Sequence, residues 1–355
     1  MEVAEASSTR SIVATVYSAV PRWRSFEFSI PAEAFSITGM NVFRHPTPLL
    51  ERLWLQAQRP DVDWSHALPD LLFSAQGNRY FSICPRLREF ASHFTNVLVN
   101  ASPYPQMLGH LRILNVTVGP SATTWLWNAL RMMPQIEALI LVLHNGGEAE
   151  THGPKSELRL PALWRLEVDR CVAHWFAAAS QYLRFPSLTK LVSEPLVVDI
   201  LGHTFMKDSC TQDGITQLNI SYAPDGGLNA HACTQLQLLT RLESMHLGHV
   251  SVQDSFFELL LVPQADGSWL LPKLTSFAMI SCQASTIDPV GDLLVHFIRA
   301  RFSDHDGSNV SRLVSVMIDC TTELATWHLT EIAFILNGGM PELAYKQCID
   351  AHECT

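Results

Sequence analysis

The chain has 355 residues, of which 47% are hydrophobic and 16% charged, so it is no disordered sequence and much of it must be buried. Its formal net charge of -10, with no two Lys or Arg adjacent, excludes the dense basic face that a nucleic-acid phosphate backbone requires. An acidic surface of this kind suits protein partners better than DNA or a membrane.

Residues 1–20 carry no repeat and are expected to form an N-terminal cap or remnant. From Pro21 onward one phrase recurs, Leu-x-x-Leu-x-Leu, usually introduced by Pro. Its first copies are Trp23-x-x-Phe26-x-Phe28, Leu50-x-x-Leu53-x-Leu55 and Leu87-x-x-Phe90. Then come Leu111-x-x-Leu114-x-Val116, Ile136-x-x-Leu139-x-Leu141, Leu163-x-x-Leu166-x-Val168 and Leu188-x-x-Leu191. The last are Ile215-x-x-Leu218-x-Ile220, Leu242-x-x-Met245-x-Leu247, Leu274-x-x-Phe277-x-Met279 and Leu313-x-x-Val316-x-Ile318. The central copies begin at 111, 136, 163, 188, 215 and 242, in steps of 25, 27, 25, 27 and 27. A fixed period in that range marks a leucine-rich-repeat solenoid. The longer steps 50→87, 242→274 and 274→313 read as loop insertions. About eleven irregular units thus fill 21–339, and 340–355 reads as a frayed C-terminal tail.

Between phrases the apolar spacing turns helical. Trp125, Leu126, Ala129, Leu130 and Met133 share one helix face. Similar helices are expected at 173–185, 231–241, 254–262, 289–302 and 324–337. The fold class is therefore α/β: a leucine-rich-repeat horseshoe with parallel strands on the concave face and helices on the convex one. The ninth position of a unit often holds Asn or Cys; here it holds Cys171 and Cys282, read as small buried thiols that close the strand. Gly226-Gly227 and Gly338-Gly339 read as turn glycines.

In each strand the Leu positions point inward and the intervening ones to solvent. The solvent-pointing set is Arg52, Trp54 and Gln56; Arg165, Glu167 and Asp169; Lys190 and Glu194; Gln217, Asn219 and Ser221; and Ser244 and His246. A polar face of mixed sign suits a protein or peptide ligand, and Trp54 is the strongest single candidate because Trp is enriched at binding hot spots. Catalytic motifs are not found: the chain has no Gly-x-Ser-x-Gly, no His-Glu-x-x-His and no phosphate-binding Gly loop. Cys348-x-x-x-His352-x-Cys354 lacks a fourth ligand for zinc. The chain is read as a binding protein and not an enzyme, with no cofactor and no metal.

The opening Met1-Glu2-Val3-Ala4-Glu5 carries acids where a secretory leader carries Lys or Arg. The densest apolar runs, such as 256–262, fall short of the roughly 20 residues that span a bilayer. Eight Cys are scattered with no Cys-x-x-Cys, which reads as reduced thiols in the cytoplasm or nucleus.

Cys84-Pro85-Arg86-Leu87-Arg88-Glu89-Phe90 resembles the Cys-Pro-x-Leu-x-x-Leu junction of cysteine-containing repeats. Pro21-Arg22-Trp23-Arg24-Ser25-Phe26 is similar to the phrase that opens the repeats in F-box/leucine-rich-repeat proteins of the divergent fungal type, and 161–168 resembles their internal units. The resemblance covers roughly residues 20–339. It implies a substrate receptor of a cullin-RING ubiquitin ligase, whose F-box docks on the ligase's adaptor subunit while the repeats hold the target. The F-box itself is not found. Leu68-Pro69-Asp70-Leu71-Leu72-Phe73 looks like its start, but the later Val-Cys-x-x-Trp is missing and a repeat phrase follows instead. Adaptor docking is therefore expected only if an F-box exists outside this sequence. The other reading is a stand-alone repeat scaffold with no ubiquitin role.

Overall fold

The structure is a computed structural model that describes residues 19–30, 47–57, 84–92, 108–118, 123–143, 154, 156–193, 214–228, 236, 237, 239–263, 269–302, 310–319 and 321–337. The chain divides into two compact units, Met1–Ser187 and Leu188–Thr355. Both are built as a parallel-strand solenoid. Among the described residues, each of the eleven repeat phrases leads into one strand of its own unit's parallel ladder, six in the first unit and five in the second.

In the first unit the ladder runs β1 (Ser25–Ile30), β2 (Arg52–Ala57), β3 (Glu89–Ser92), β4 (Ile113–Val118), β5 (Ala138–Leu143) and β7 (Arg165–Val168). The register superimposes the second apolar position of each phrase, so that Leu53, Phe90, Leu114, Leu139 and Leu166 are mutual partners. All five are at most 3% exposed. Burying a side chain of this size contributes about 1.5–3 kcal/mol, and the column repeats it once per strand. The burial of β4 alternates residue by residue, as a strand with one face on a core requires.

The phrase's Pro has a structural cause. The first apolar residue donates its backbone N–H to the carbonyl three residues earlier: Leu50 to Thr47 (3.0 Å), Leu87 to Cys84 (3.1 Å), Leu111 to Leu108 (3.2 Å), Ile136 to Met133 (3.1 Å) and Leu163 to Leu160 (3.3 Å). These are β-turns, and in four of them Pro48, Pro85, Pro134 or Pro161 fills the second position, where its fixed φ is preset for the turn. The acceptor residues Thr47, Cys84, Leu108, Met133 and Leu160 are all buried. The next two amides then share one carbonyl of the preceding unit, as Glu51 and Arg52 do with Arg24 O (2.7 and 3.1 Å), and the motif recurs up to Trp164 and Arg165 on Glu137 O.

Helix α1 (Thr123–Arg131) follows β4, and α2 (Arg170–Ala179) follows β7. Trp127 of α1 meets Phe176 of α2 edge-on at 5.2 Å, and Phe176 reaches Phe185 at 6.2 Å. The helix expected over 173–185 ends at Ala179 instead. A 3-10 turn at Ser180–Tyr182 leads into β8 (Leu183–Arg184), which pairs in parallel with β6 (Leu158–Arg159). Leu183 and Phe185 are buried at a period of two, which belongs to an extended chain, and Pro186 disfavours helix at the residue before it.

The second unit holds β9 (Lys190–Ser193), β10 (Gln217–Leu228), β11 (Ser244–Val252), β12 (Ser276–Ile280) and β14 (Ser315–Ile318), with the two-residue β13 (Gln283–Ala284) paired in parallel with the far end of β11. Helices α3 (Asp254–Leu261), α4 (Ile287–Phe302) and α5 (Thr326–Leu336) follow β11, β13 and β14. Phe257, Phe277 and Phe297 form a ring cluster with centroids 5.5–6.3 Å apart. Among the described residues, helices of eight residues or more follow β4, β7, β11, β13 and β14. The helix expected over 231–241 falls mostly outside the described residues.

One further expectation changes. Gly226 and Gly227 lie within β10, not in a turn. A Cβ on Gly227 would stand 2.6 Å from the carbonyl oxygen of Ser251, so a side chain is excluded where β10 and β11 close up beyond the bulge. His249 and Ser281, each eighth in its unit, adopt φ of 54° and 51°, a left-handed kink that falls inside β11 and directly after β12 respectively. The next position works as the sequence implies: Cys282 is buried, and its thiol donates to Leu247 O of the preceding unit at 3.4 Å. Thr322 caps Met279 O similarly at 3.4 Å. Burial pushes the pKa of the Cys282 thiol up, so it stays protonated and able to donate.

Candidate functional site

The outward positions of the two ladders are where the repeat presents side chains that its own core does not use. In the first unit, one such column is Glu27, Trp54, Ala91, Asn115, Ile140 and Glu167, all in register. Beside it runs Ser25, Arg52, Glu89, Ile113, Ala138 and Arg165. Arg52 Nε lies 3.1 Å from the Glu89 carboxylate on the neighbouring strand. Arg165 Nη2 lies 2.7 Å from Glu167 Oε2, one outward position along the same strand. A third bridge, Arg112 to Glu137 at 2.6 Å, spans the turns before β4 and β5. The charges expected on this face are therefore there, and mutual pairing fixes several of them. Exposed pairs of this kind contribute little to stability, so their consequence is orientation.

Trp54 is 41% exposed between Glu27 and Ala91, a large apolar ring on a polar face. The sequence reading missed its company. Trp164, at the turn into β7, is 42% exposed, and Val142 on β5 is 45% exposed. The signal for Val142 was in the sequence: Ala138-Leu139-Ile140-Leu141-Val142-Leu143 is apolar at every position, although only alternate ones can face the core.

Asp169 has a different use. One carboxylate oxygen accepts from Val172 N at 2.8 Å as the N-cap of α2, and the other accepts from Leu143 N on β5. Both oxygens are engaged by backbone amides, so Asp169 is committed to holding β5, β7 and α2 together. Asp319 occupies the same repeat position in the second unit, with Ser281 N at 2.9 Å, Thr322 Oγ1 at 2.8 Å and Thr321 Oγ1 at 2.5 Å. Burial alone would push the Asp319 pKa up, but these hydrogen bonds outweigh it and hold the carboxyl below its ordinary value.

In the second unit Lys190, Gln217 and Ser244 are register partners, as are Asn219 and His246. Ser276 and Ser315 continue the first of these columns, giving a face of amides and hydroxyls around one cation. His246 is partly buried, its Nε2 has no hydrogen-bond partner among the described residues, and burial together with the Lys190 charge pushes its pKa down, so the ring is neutral at pH 7. Ser221 is half-buried on β10. Glu194 and the side chain of Gln56 lie outside the described residues, as do the side chain of Cys171, the 68–73 segment and the Cys348–Cys354 trio. Among the described residues, no group of three or more His, Cys, Asp or Glu is arranged to hold a metal ion. No helix among them is long and apolar enough to cross a membrane.

Thr47 and Cys84 meet in a buried side-chain hydrogen bond between successive turns of the first unit. Burial raises the Cys84 pKa against the lowering effect of Thr47, which leaves a neutral, structural thiol and not a nucleophile. No protein-family model matches the chain, and no curated protein does.

Proposed function

We propose that this protein is a protein–protein interaction module whose first-unit strand face holds a polypeptide ligand. The observation that carries the reading is the exposure of Trp54 (41%) and Trp164 (42%) among paired Arg and Glu side chains. Trp and Arg dominate interface energetics, and a pre-paired Arg reaches a partner with less side-chain freedom left to lose. The finer fold reading is a leucine-rich-repeat horseshoe with strands on its concave face and helices on its convex one. The common register of the repeat phrases and the thiol bond from Cys282 to Leu247 O support it. The ubiquitin-ligase role, as a substrate receptor, rests on the likeness of residues 21–26 and 84–90 to F-box/leucine-rich-repeat proteins. The alternative is a stand-alone scaffold. A pull-down with the ligase's adaptor subunit separates the two for this sequence.

The face itself is tested by reversing a pair. Arg165→Glu with Glu167→Lys keeps an internal bridge at the 2.7 Å site but inverts the order of charge shown to a ligand. Circular dichroism should be unchanged, while affinity for a polypeptide captured by the wild type falls at least about tenfold, roughly 1.4 kcal/mol. Trp54→Ala should do the same. Undiminished binding by both variants refutes the assignment.

A further inference from the structure

Arg301, in the last turn of α4, is a buried cation with no counter-charge among the described residues. The residue is 3% exposed. Its Nη2 donates to the backbone carbonyl of Leu270, while Nε and Nη1 have no hydrogen-bond partner among the described residues. These two atoms carry three of the five N–H donors of a guanidinium. No carboxylate among the described residues forms an ion pair with it. The rings of Phe297 and Trp269, 5.8 and 6.0 Å from its central carbon, give a weak cation–π contribution. The C-terminal end of α4 adds a partial negative charge of roughly half an electron at most. Burial still pushes the guanidinium pKa down to about 10, which leaves it charged at neutral pH.

Beside the guanidinium lies a pocket lined by Leu260, Leu261, Trp269, Phe297, Ala300 and Val310, with Arg301 as its charged wall. Its centre has room for a single water-sized species. Water suits the place poorly, because a buried water needs two to four polar partners of both kinds, and the residues lining the pocket beside Arg301 are aliphatic or aromatic. An anion needs donors only. An unpaired buried charge is among the costliest arrangements in a protein, and a co-buried ion of opposite sign removes that cost.

We propose that the Arg301 pocket of the second unit is a binding site for a small monovalent anion of halide size. The anion takes the free donors of Arg301 and sits against the edges of Trp269 and Phe297, where aromatic rings are electropositive. The site locks α3 and the 269–271 segment to α4, and it is independent of the strand face.

The test is thermal unfolding of the whole chain at constant ionic strength, with sodium chloride or bromide replaced stepwise by gluconate, which is too large to enter. The midpoint should rise by about 2 °C or more per tenfold increase in halide. Arg301→Met should abolish that dependence and remain folded, since an apolar side chain of similar length removes the buried charge altogether. Equal midpoints in chloride and gluconate overturn the proposal, and so does a halide dependence that survives in Arg301→Met. Should that variant not fold, bromide-edge diffraction from wild-type crystals decides. An anomalous peak within hydrogen-bonding distance of Arg301 supports the site, and a featureless pocket at saturating bromide refutes it.

Discussion

Asp169→Ala is the substitution that best tests how the solenoid is held together. The carboxylate does two jobs at once. Losing the cap on Val172 N at 2.8 Å costs about 1 kcal/mol. Losing the bond to Leu143 N leaves an amide unpaired on a residue that is 7% exposed, for a further 1–3 kcal/mol or so. The two jobs share one group but serve different amides, so the sum is about 2–4 kcal/mol. Asp169→Asn should fall in between: its carbonyl still caps α2, while its NH2 group turns a donor toward the Leu143 N–H. Urea unfolding gives the total, and amide exchange followed by mass spectrometry gives its location. Peptides covering Leu143 and 170–173 should lose protection first, ahead of β2 and β3. A change in stability under about 0.5 kcal/mol with exchange at Leu143 untouched would refute the clamp and return Asp169 to the set of solvent-facing residues.

Other perturbations address the core, the helix contacts and pH. Leu114→Ala removes a residue of 0% exposure from the first unit's core column and should cost about 2–5 kcal/mol by urea midpoint; a cost below 1 would mean that the column is not packed as described. A Cβ on Gly291 would stand 2.2–2.5 Å from the ring atoms of buried His328, so Gly291→Ala should destabilise by about 1–3 kcal/mol through overpacking of α4 on α5. His328→Ala in that background should recover part of the loss, and strict additivity in the double-mutant cycle would deny the contact. Asp319 supplies an acid-sensitive component, because its folded pKa lies below the unfolded value of about 3.9. That stability is complete above the unfolded value and is lost as pH falls through the folded one. Between pH 5 and 2.5 the wild type should therefore lose urea resistance more steeply than Asp319→Asn, and parallel curves would contradict the assignment.

The ladder was legible because its cause repeats. Each inward position meets the same position of the neighbouring strand, as Leu114 meets Phe90 and Leu139, so the same residue class is demanded every 25 or 27 residues. Proline recurs for a similarly local reason, the preset φ of the turn before each strand. What failed to read through did so where two periodicities overlap. Leu183 and Phe185 sit at a spacing that continues the apolar face of α2, yet they alternate as an extended chain against Leu158 and Leu160. Gly226-Gly227 carries a turn signal by composition, while the close approach of Ser251 that demands Gly227 is a fact of tertiary structure alone.

The outward face reads less well because nothing inside the protein imposes a period on it. Parity along the strand placed Arg52, Trp54, Arg165 and Glu167 correctly at exposed or half-buried positions. It could not say that Arg52 would reach across to Glu89, since that pairing depends on which strand lies alongside. Parity also fails one residue past a strand's end. Asp169 follows Val168 in outward phase, but the chain there turns into α2, and a carboxylate at a strand-to-helix junction meets four orphan amides before it meets solvent. On the proposed reading, the same reasoning ranks the exposed residues of this face. A polar side chain on this face can be satisfied by water or by a neighbour, as Arg112 is by Glu137, and needs no further cause. Trp54 at 41% exposure and Val142 at 45% present apolar surface that neither water nor an ion pair satisfies. On the proposed reading, these are positions among the described residues of the first unit's face that a polypeptide ligand would cover.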